Sequence, residues 1–253
     1  MRIRRNLRVL CVVLGMMVSL CGCGEKSSGN ETQTTEATTA NVDVIDEIIL
    51  DGDMTLEKVE TLIEQDTEET VAALSAEWEA LQAEVNTYEK YLENSDQVEL
   101  FYGKIYQETE LLAVRLREYC VVYAKLIVDS DMSSDDMYDE LKEIYDSLYD
   151  DAGEVIYDEI YDGILDDMYE YYYDGILDDA YDDAEYDQWS DARSEEYDWW
   201  SDARSDVYDE YSDYRSDAYD FYSDLRSDVY DEDIEAAKED ISDLEKNIMK
   251  MKE

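Results

Sequence analysis

Apolar positions along this chain follow three different periods in succession. Val71, Leu74, Trp78, Leu81, Val85, Tyr88 and Leu92 alternate steps of three and four, which is the seam of a heptad helix. Asp66 followed by Glu69 has the form of a capping box that opens this helix, and Asn94-Ser95-Asp96 closes it. Val98, Phe101, Ile105, Leu112, Leu116, Tyr119, Tyr123 and Leu126 then line a second helix that ends near Asp129. Residues 42–130 therefore predict an antiparallel helical hairpin.

Over residues 131–185 the period becomes four. Tetrads such as YDSL, YDDA, YDEI and YDGI follow one another, and Tyr145, Tyr149, Tyr157, Tyr161, Tyr169, Tyr173 and Tyr181 superimpose a twelve-residue phrase. A period of four exceeds the α-helical period, so the apolar stripe drifts by about 40° per tetrad. The expectation is a helix that wraps right-handedly around a partner or bends at Gly153, Gly163 or Gly175.

Residues 186–253 carry a third period, in which YDQWSDARSEE returns as YDWWSDARSDV, YDEYSDYRSDA and YDFYSDLRSDV. Eleven residues in three turns is about 3.67 per turn, close enough to an α-helix that each phrase repeats on the same face. One stripe reads Tyr186, Trp189, Arg193, Tyr197, Trp200, Arg204, Tyr208, Tyr211, Arg215, Tyr219, Tyr222 and Arg226. Ala192, Ala203, Val207, Tyr214, Ala218, Leu225 and Val229 widen it into an apolar arc. The opposite ridge is acid, including Asp198, Asp202, Asp206, Asp209, Asp213, Asp217, Asp220, Asp224 and Asp228. Like charges at helical spacing oppose a lone helix by about 0.2–0.5 kcal/mol per pair, so the aromatic face must be buried against something. An arginine with an aromatic four residues to either side suits stacking of its guanidinium on rings. The fold expected is all-α and elongated, a helical hairpin followed by a long repeat helix or a pair of helices, which if unbroken from Tyr186 to Met249 would extend about 95 Å.

Charge narrows the range of functions. The chain holds 20 basic and 70 acidic residues, no histidine and no proline. So anionic a surface repels nucleic acid and attracts cations, basic peptides among them. Without imidazole, a Gly-rich phosphate loop or a nucleophile motif, no catalytic residue or cofactor is assigned, and the chain reads as a non-enzyme. Asp51-Gly52-Asp53 lacks the further ligands of a calcium loop. Calcium or a basic peptide bound weakly along the Asp ridge is the alternative reading, and no metal ligand set is assigned.

The first residues read as a targeting segment. Arg2, Arg4, Arg5 and Arg8 precede the apolar run Val9 to Leu20, too short to span a bilayer comfortably. Leu20-Cys21-Gly22-Cys23 resembles the lipobox of bacterial lipoprotein signal peptides, with Cys21 where a small residue is usual. The resemblance implies that residues 1–22 are removed, that Cys23 is acylated with diacylglycerol and a fatty acid such as palmitate, and that the protein is extracytoplasmic and bound to the cell membrane. Residues 23–41, rich in Ser and Thr, read as a disordered tether. Cys120 beside the apolar stripe reads as a packed thiol. The function expected is a helical interaction module that meets a protein partner or a second copy of itself through the Tyr/Trp/Arg face.

Overall fold

The structure, a computed structural model, describes residues 54–252. The signal segment, Cys23, the tether and Asp51-Gly52-Asp53 lie outside the described residues. Among these the fold is all-α, as the sequence predicts, with α1 (Leu56–Glu84), α2 (Tyr88–Val128), α3 (Ser134–Tyr145), α4 (Tyr186–Tyr230) and α5 (Ile234–Met251). Between α3 and α4 the chain stays helical but alternates π turns with short α pieces.

Helix α1 starts under Thr55, whose hydroxyl accepts from the Lys58 amide at 3.3 Å, and runs on to Glu84. Asp66, expected to open a helix, therefore sits in the middle of one. Its carboxylate instead accepts the Tyr119 hydroxyl at 2.7 Å, tying α1 to α2. The hairpin turn falls at Val85-Asn86-Thr87, with Thr87 capping α2. The heptad seam hides this turn because Val85 is fully buried within it. At Asn94, where a helix end is expected, α2 only kinks (φ −130°, ψ 18°), with the Asn94 amide donating to the Lys90 carbonyl at 2.7 Å.

Helix α2 is the hub, touching α1, α4 and α5. From Leu116 to Ala124 every residue is buried, as expected of a helix covered all round. Two ionic residues in that run are neutralised where they lie. The Arg117 guanidinium meets Glu210 at 2.7 Å and Asp217 at 2.8 Å on α4, and Glu118 pairs with Lys252 at the end of α5. Cys120 is buried as a free thiol, and burial pushes it up to about 12.

The tetrad segment neither coils nor breaks. It changes its winding. Asp146–Ala152, Ile156–Ile164 and Glu170–Leu177 are π turns, separated by the α pieces Gly153–Val155 and Leu165–Tyr169. A π turn closes through i→i+5 bonds and so holds more residues than an α turn. Mixing the two brings the mean period up to the four that the sequence dictates, which keeps the stripe straight. Leu148, Ala152, Ile156, Ile160, Ile164, Met168 and Tyr172 all point into the core as a result. Gly163 and Gly175 serve the winding rather than a bend. A Cβ on Gly163 would lie 3.1 Å from the Asp158 carbonyl oxygen, and one on Gly175 would lie 3.3 Å from that of Glu170.

Helix α4 has 45 residues, about 68 Å at 1.5 Å per residue. It ends at a turn in which Glu232 takes φ 59°, and α5 folds back with Asp233 as its cap. Residues 186–251 are thus two helices rather than one unbroken helix. The acid repeat ends at this turn, and α5 lays Ala237, Ile241 and Ile248 on the core. The buried side chains form two clusters. One gathers the start of α1, the ends of α2 and α4, α3 and α5; the other gathers the end of α1, the start of α2, the later tetrads and the first half of α4.

Candidate functional site

The buried stripe of α4 is Ala192, Glu196, Ala203, Val207, Tyr214, Ala218, Leu225 and Val229. The Tyr/Trp/Arg stripe lies beside it, against the tetrad segment, and the two segments run antiparallel. Their repeats mesh as two ladders. In the first, Tyr145, Tyr157, Tyr169 and Tyr181 meet Tyr222, Tyr211, Trp200 and Trp189 at ring-centroid distances of 4.3, 5.3, 4.4 and 4.9 Å. In the second, Tyr138, Tyr149, Tyr161 and Tyr173 carry the guanidinium groups of Arg226, Arg215, Arg204 and Arg193 at 4.4, 3.8, 4.3 and 4.2 Å.

The arithmetic of these ladders explains the π turns. On α4 the rungs are spaced eleven residues apart; on the tetrad segment Tyr145, Tyr157, Tyr169 and Tyr181 are spaced twelve. Both intervals make three helical turns. Steps of 3, 4, 4 on α4 are matched by 4, 4, 4 on its neighbour, and the extra residue is taken up by a wider turn. Each arginine is also sandwiched by the aromatic four residues before it on α4, Trp189, Trp200, Tyr211 and Tyr222 in order. Aspartates of the tetrads complete three of the rungs, with Arg193 on Asp178 at 2.7 Å, Arg204 on Asp162 and Asp166, and Arg215 at 4.0 Å from Asp150. Two carbonyls of the π turns are bonded by α4 as well, Leu148 by the Tyr214 hydroxyl and Leu177 by the Trp189 indole at 2.6 Å.

The expected interaction face is therefore divided. Trp189, Trp200, Tyr211, Tyr222, Arg193, Arg204 and Arg215 are half-buried against the chain's own tetrads, while Arg226 is exposed. Tyr186, Tyr197, Tyr208, Tyr219 and Tyr230, the first residue of each phrase, remain 46–75% exposed. Of the Asp ridge, Asp217 and Asp228 are half-buried, and Asp198, Asp202, Asp206, Asp209, Asp213, Asp220 and Asp224 are exposed. Asp228 hydrogen-bonds Asp240 on α5, and burial together with that neighbouring charge pushes Asp240 up to about 6. Among the described residues no group of three or more Cys, Asp or Glu side chains is arranged to hold a metal ion. No described helix is long and apolar enough to cross a membrane.

Sequence reasoning missed Glu196. It occupies the eleventh place of its phrase, where the following repeats carry Val207, Ala218 and Val229. That contrast was the available signal: a core position in three repeats is a core position in the fourth. Glu196 is fully buried, its Oε1 accepting the Tyr102 hydroxyl at 2.6 Å and its Oε2 that of Tyr91 at 2.8 Å. Burial pushes its carboxyl up to about 7 against the pull of the two tyrosine donors. No family model, curated protein or solved structure matches the chain.

Proposed function

We propose that the chain is an extracytoplasmic lipoprotein, held to the cell membrane through acylated Cys23, whose helical body works as a protein-interaction module. The supporting observation is the division of the α4 face. With the indoles, the second tyrosines and all four arginines stacked on the chain's own rings, what α4 offers outward is one exposed tyrosine per repeat flanked by aspartates. These tyrosines recur about every 16.5 Å along the helix. Aromatic rings are what interface hot spots favour, and the flanking carboxylates select a partner surface rich in Lys and Arg. The partner is a protein with a basic face rather than nucleic acid.

A photo-crosslinking phenylalanine derivative placed at Tyr208 in the cell tests this reading, with the same group at Glu64 on α1 as control. A discrete adduct from position 208 alone is the expected result. The same adducts from both positions, or none from either, would sink it. For the anchor, palmitate labelling should be lost in Cys23→Ser.

A second reading is weak binding of calcium or basic peptides along the Asp ridge. It is favoured by the crowding of carboxylates at Asp240, where burial first and then the charges of Asp228, Asp224 and Asp243 push the carboxyl up, and a cation would relieve the repulsive part. Calorimetric titration of calcium at constant ionic strength separates it from plain screening.

A further inference from the structure

Glu196 is a fully buried carboxyl group set among the apolar and aromatic side chains of the second cluster. Its two donors, Tyr91 and Tyr102, lie on α2 on either side of the Asn94 kink. One carboxyl group of α4 thus grips α2 above and below the point where that helix departs from helical geometry. The titratable groups facing it are Tyr91 and Tyr102 of α2 and Tyr172 of the tetrad segment. The Tyr172 hydroxyl is buried without a hydrogen-bond partner. Helix α1 adds the uncharged Trp78 to the same cluster, and α4 itself adds the exposed Glu195. Among the described residues no Lys or Arg pairs with Glu196.

We propose that Glu196 is a proton-controlled clasp: protonated, it closes the first third of α4 onto α2, and losing the proton to solvent opens that contact while the opposite end of the bundle stays packed. A carboxylate buried without a cation pays heavily for its charge. The closed form therefore binds the proton more tightly than the open one, in which the group returns to the ordinary glutamate value of 4.5 from about 7. The stabilisation is complete below the open-state value and is lost as pH rises through the closed-state value. Between pH 5 and pH 8 the constant for local opening should rise on the order of fiftyfold. The two separate apolar clusters allow one end to open alone. Raised carboxyls elsewhere, Glu60, Asp151, Glu210 and Asp240, face other partners, with Glu140, Glu154, Arg117 and Asp228 among them.

Amide hydrogen exchange on the full-length chain in neutral detergent, at pH 5, 6, 7 and 8 and corrected for intrinsic rates, tests the clasp. Wild type, Glu196→Gln and Glu196→Val are compared, valine being what the second and fourth repeats carry. In wild type the opening constant of residues 186–203 should rise about fiftyfold across this range, with residues 214–230 changing far less. Both variants should be flat at 186–203. Tyr102→Phe, which removes a donor to the ionised form, should move the wild-type midpoint to higher pH. A flat wild-type profile, or a rise that survives in Glu196→Gln or Glu196→Val, would overturn the proposal.

Discussion

Arg204 gives the sharpest energetic test of the ladders. Its guanidinium lies 4.3 Å from the Tyr161 ring and 5.2 Å from the Trp200 ring, and pairs with Asp162 and Asp166. The side chain is 26% exposed, so the rings contribute about 0.5–1 kcal/mol each. The ion pairs add about 0.5 kcal/mol together, at the screened end of the range. Arg204→Ala should therefore destabilise by about 1.5–2.5 kcal/mol, which for a chain of this size lowers Tm by about 3–10 °C. Arg226→Ala is the internal control, because Arg226 is exposed and stacks on Tyr138 and Tyr222 with wider spacing to the second ring. With both rings at the exposed end of that range, its loss should be about 1 kcal/mol. Arg204→Lys keeps the charge but not the planar stack, and should recover less than half of the alanine loss. Urea unfolding followed by far-ultraviolet circular dichroism reads all three. Equal losses for Arg204→Ala and Arg226→Ala, or a silent Arg204→Lys, would refute the stacking account.

Two further outcomes follow from the same geometry. Gly163→Ala, worth about 1 kcal/mol of stabilisation in an ordinary helix interior, should bring no gain here and a net loss in urea unfolding, because the new Cβ meets the Asp158 carbonyl oxygen at 3.1 Å; Gly153→Ala, whose Cβ would meet only the Arg215 side chain at 3.6 Å, should be tolerated. Burial of Asp240 beside Asp228 should make the fold more stable as pH falls: the folded value of Asp240 is about 6 against an ordinary 3.8, so its contribution is complete below the lower value and lost on rising through the upper one. Asp240→Asn should flatten that part of a stability profile recorded from pH 4 to pH 7.

Much of this fold can be read from apolar spacing, and the places where it cannot share a cause. Apolar spacing reports which side faces a core, not where the backbone turns. The seam through Val85, Tyr88 and Leu92 stays in step across the turn at Val85-Asn86-Thr87, so the heptads conceal it. Asn94-Ser95-Asp96 has the composition of a helix end, yet the flanking Tyr91 and Val98 are both fully buried and hold α2 together through a kink. The four-residue period does conflict with an α-helix, and a change of winding resolves the conflict where a right-handed wrap or a bend was expected. Which stripe of α4 finds its partner inside the chain depends on the twelve-to-eleven match, visible only when the two repeats are laid antiparallel. Glu196 was legible in principle from Val207, Ala218 and Val229, since the register of a repeat assigns burial to each of its places.

Twelve residues of the tetrad segment and eleven of α4 both make three turns, and the match can be broken from either side by deleting a single exposed residue. Deleting Glu159 from the π turn Ile156–Ile164 converts steps of 4, 4, 4 into 3, 4, 4, which an ordinary α-helix satisfies. Deleting Asp206 from α4 shortens the spacing of Arg204 and Arg215 from eleven positions to ten and rotates everything beyond it by about 100°. In urea unfolding the Glu159 deletion should keep a cooperative transition near the wild-type midpoint, and the Asp206 deletion should lose it. Equal damage from the two deletions is what a plain α-helix on both sides would give, and that result would contradict the account.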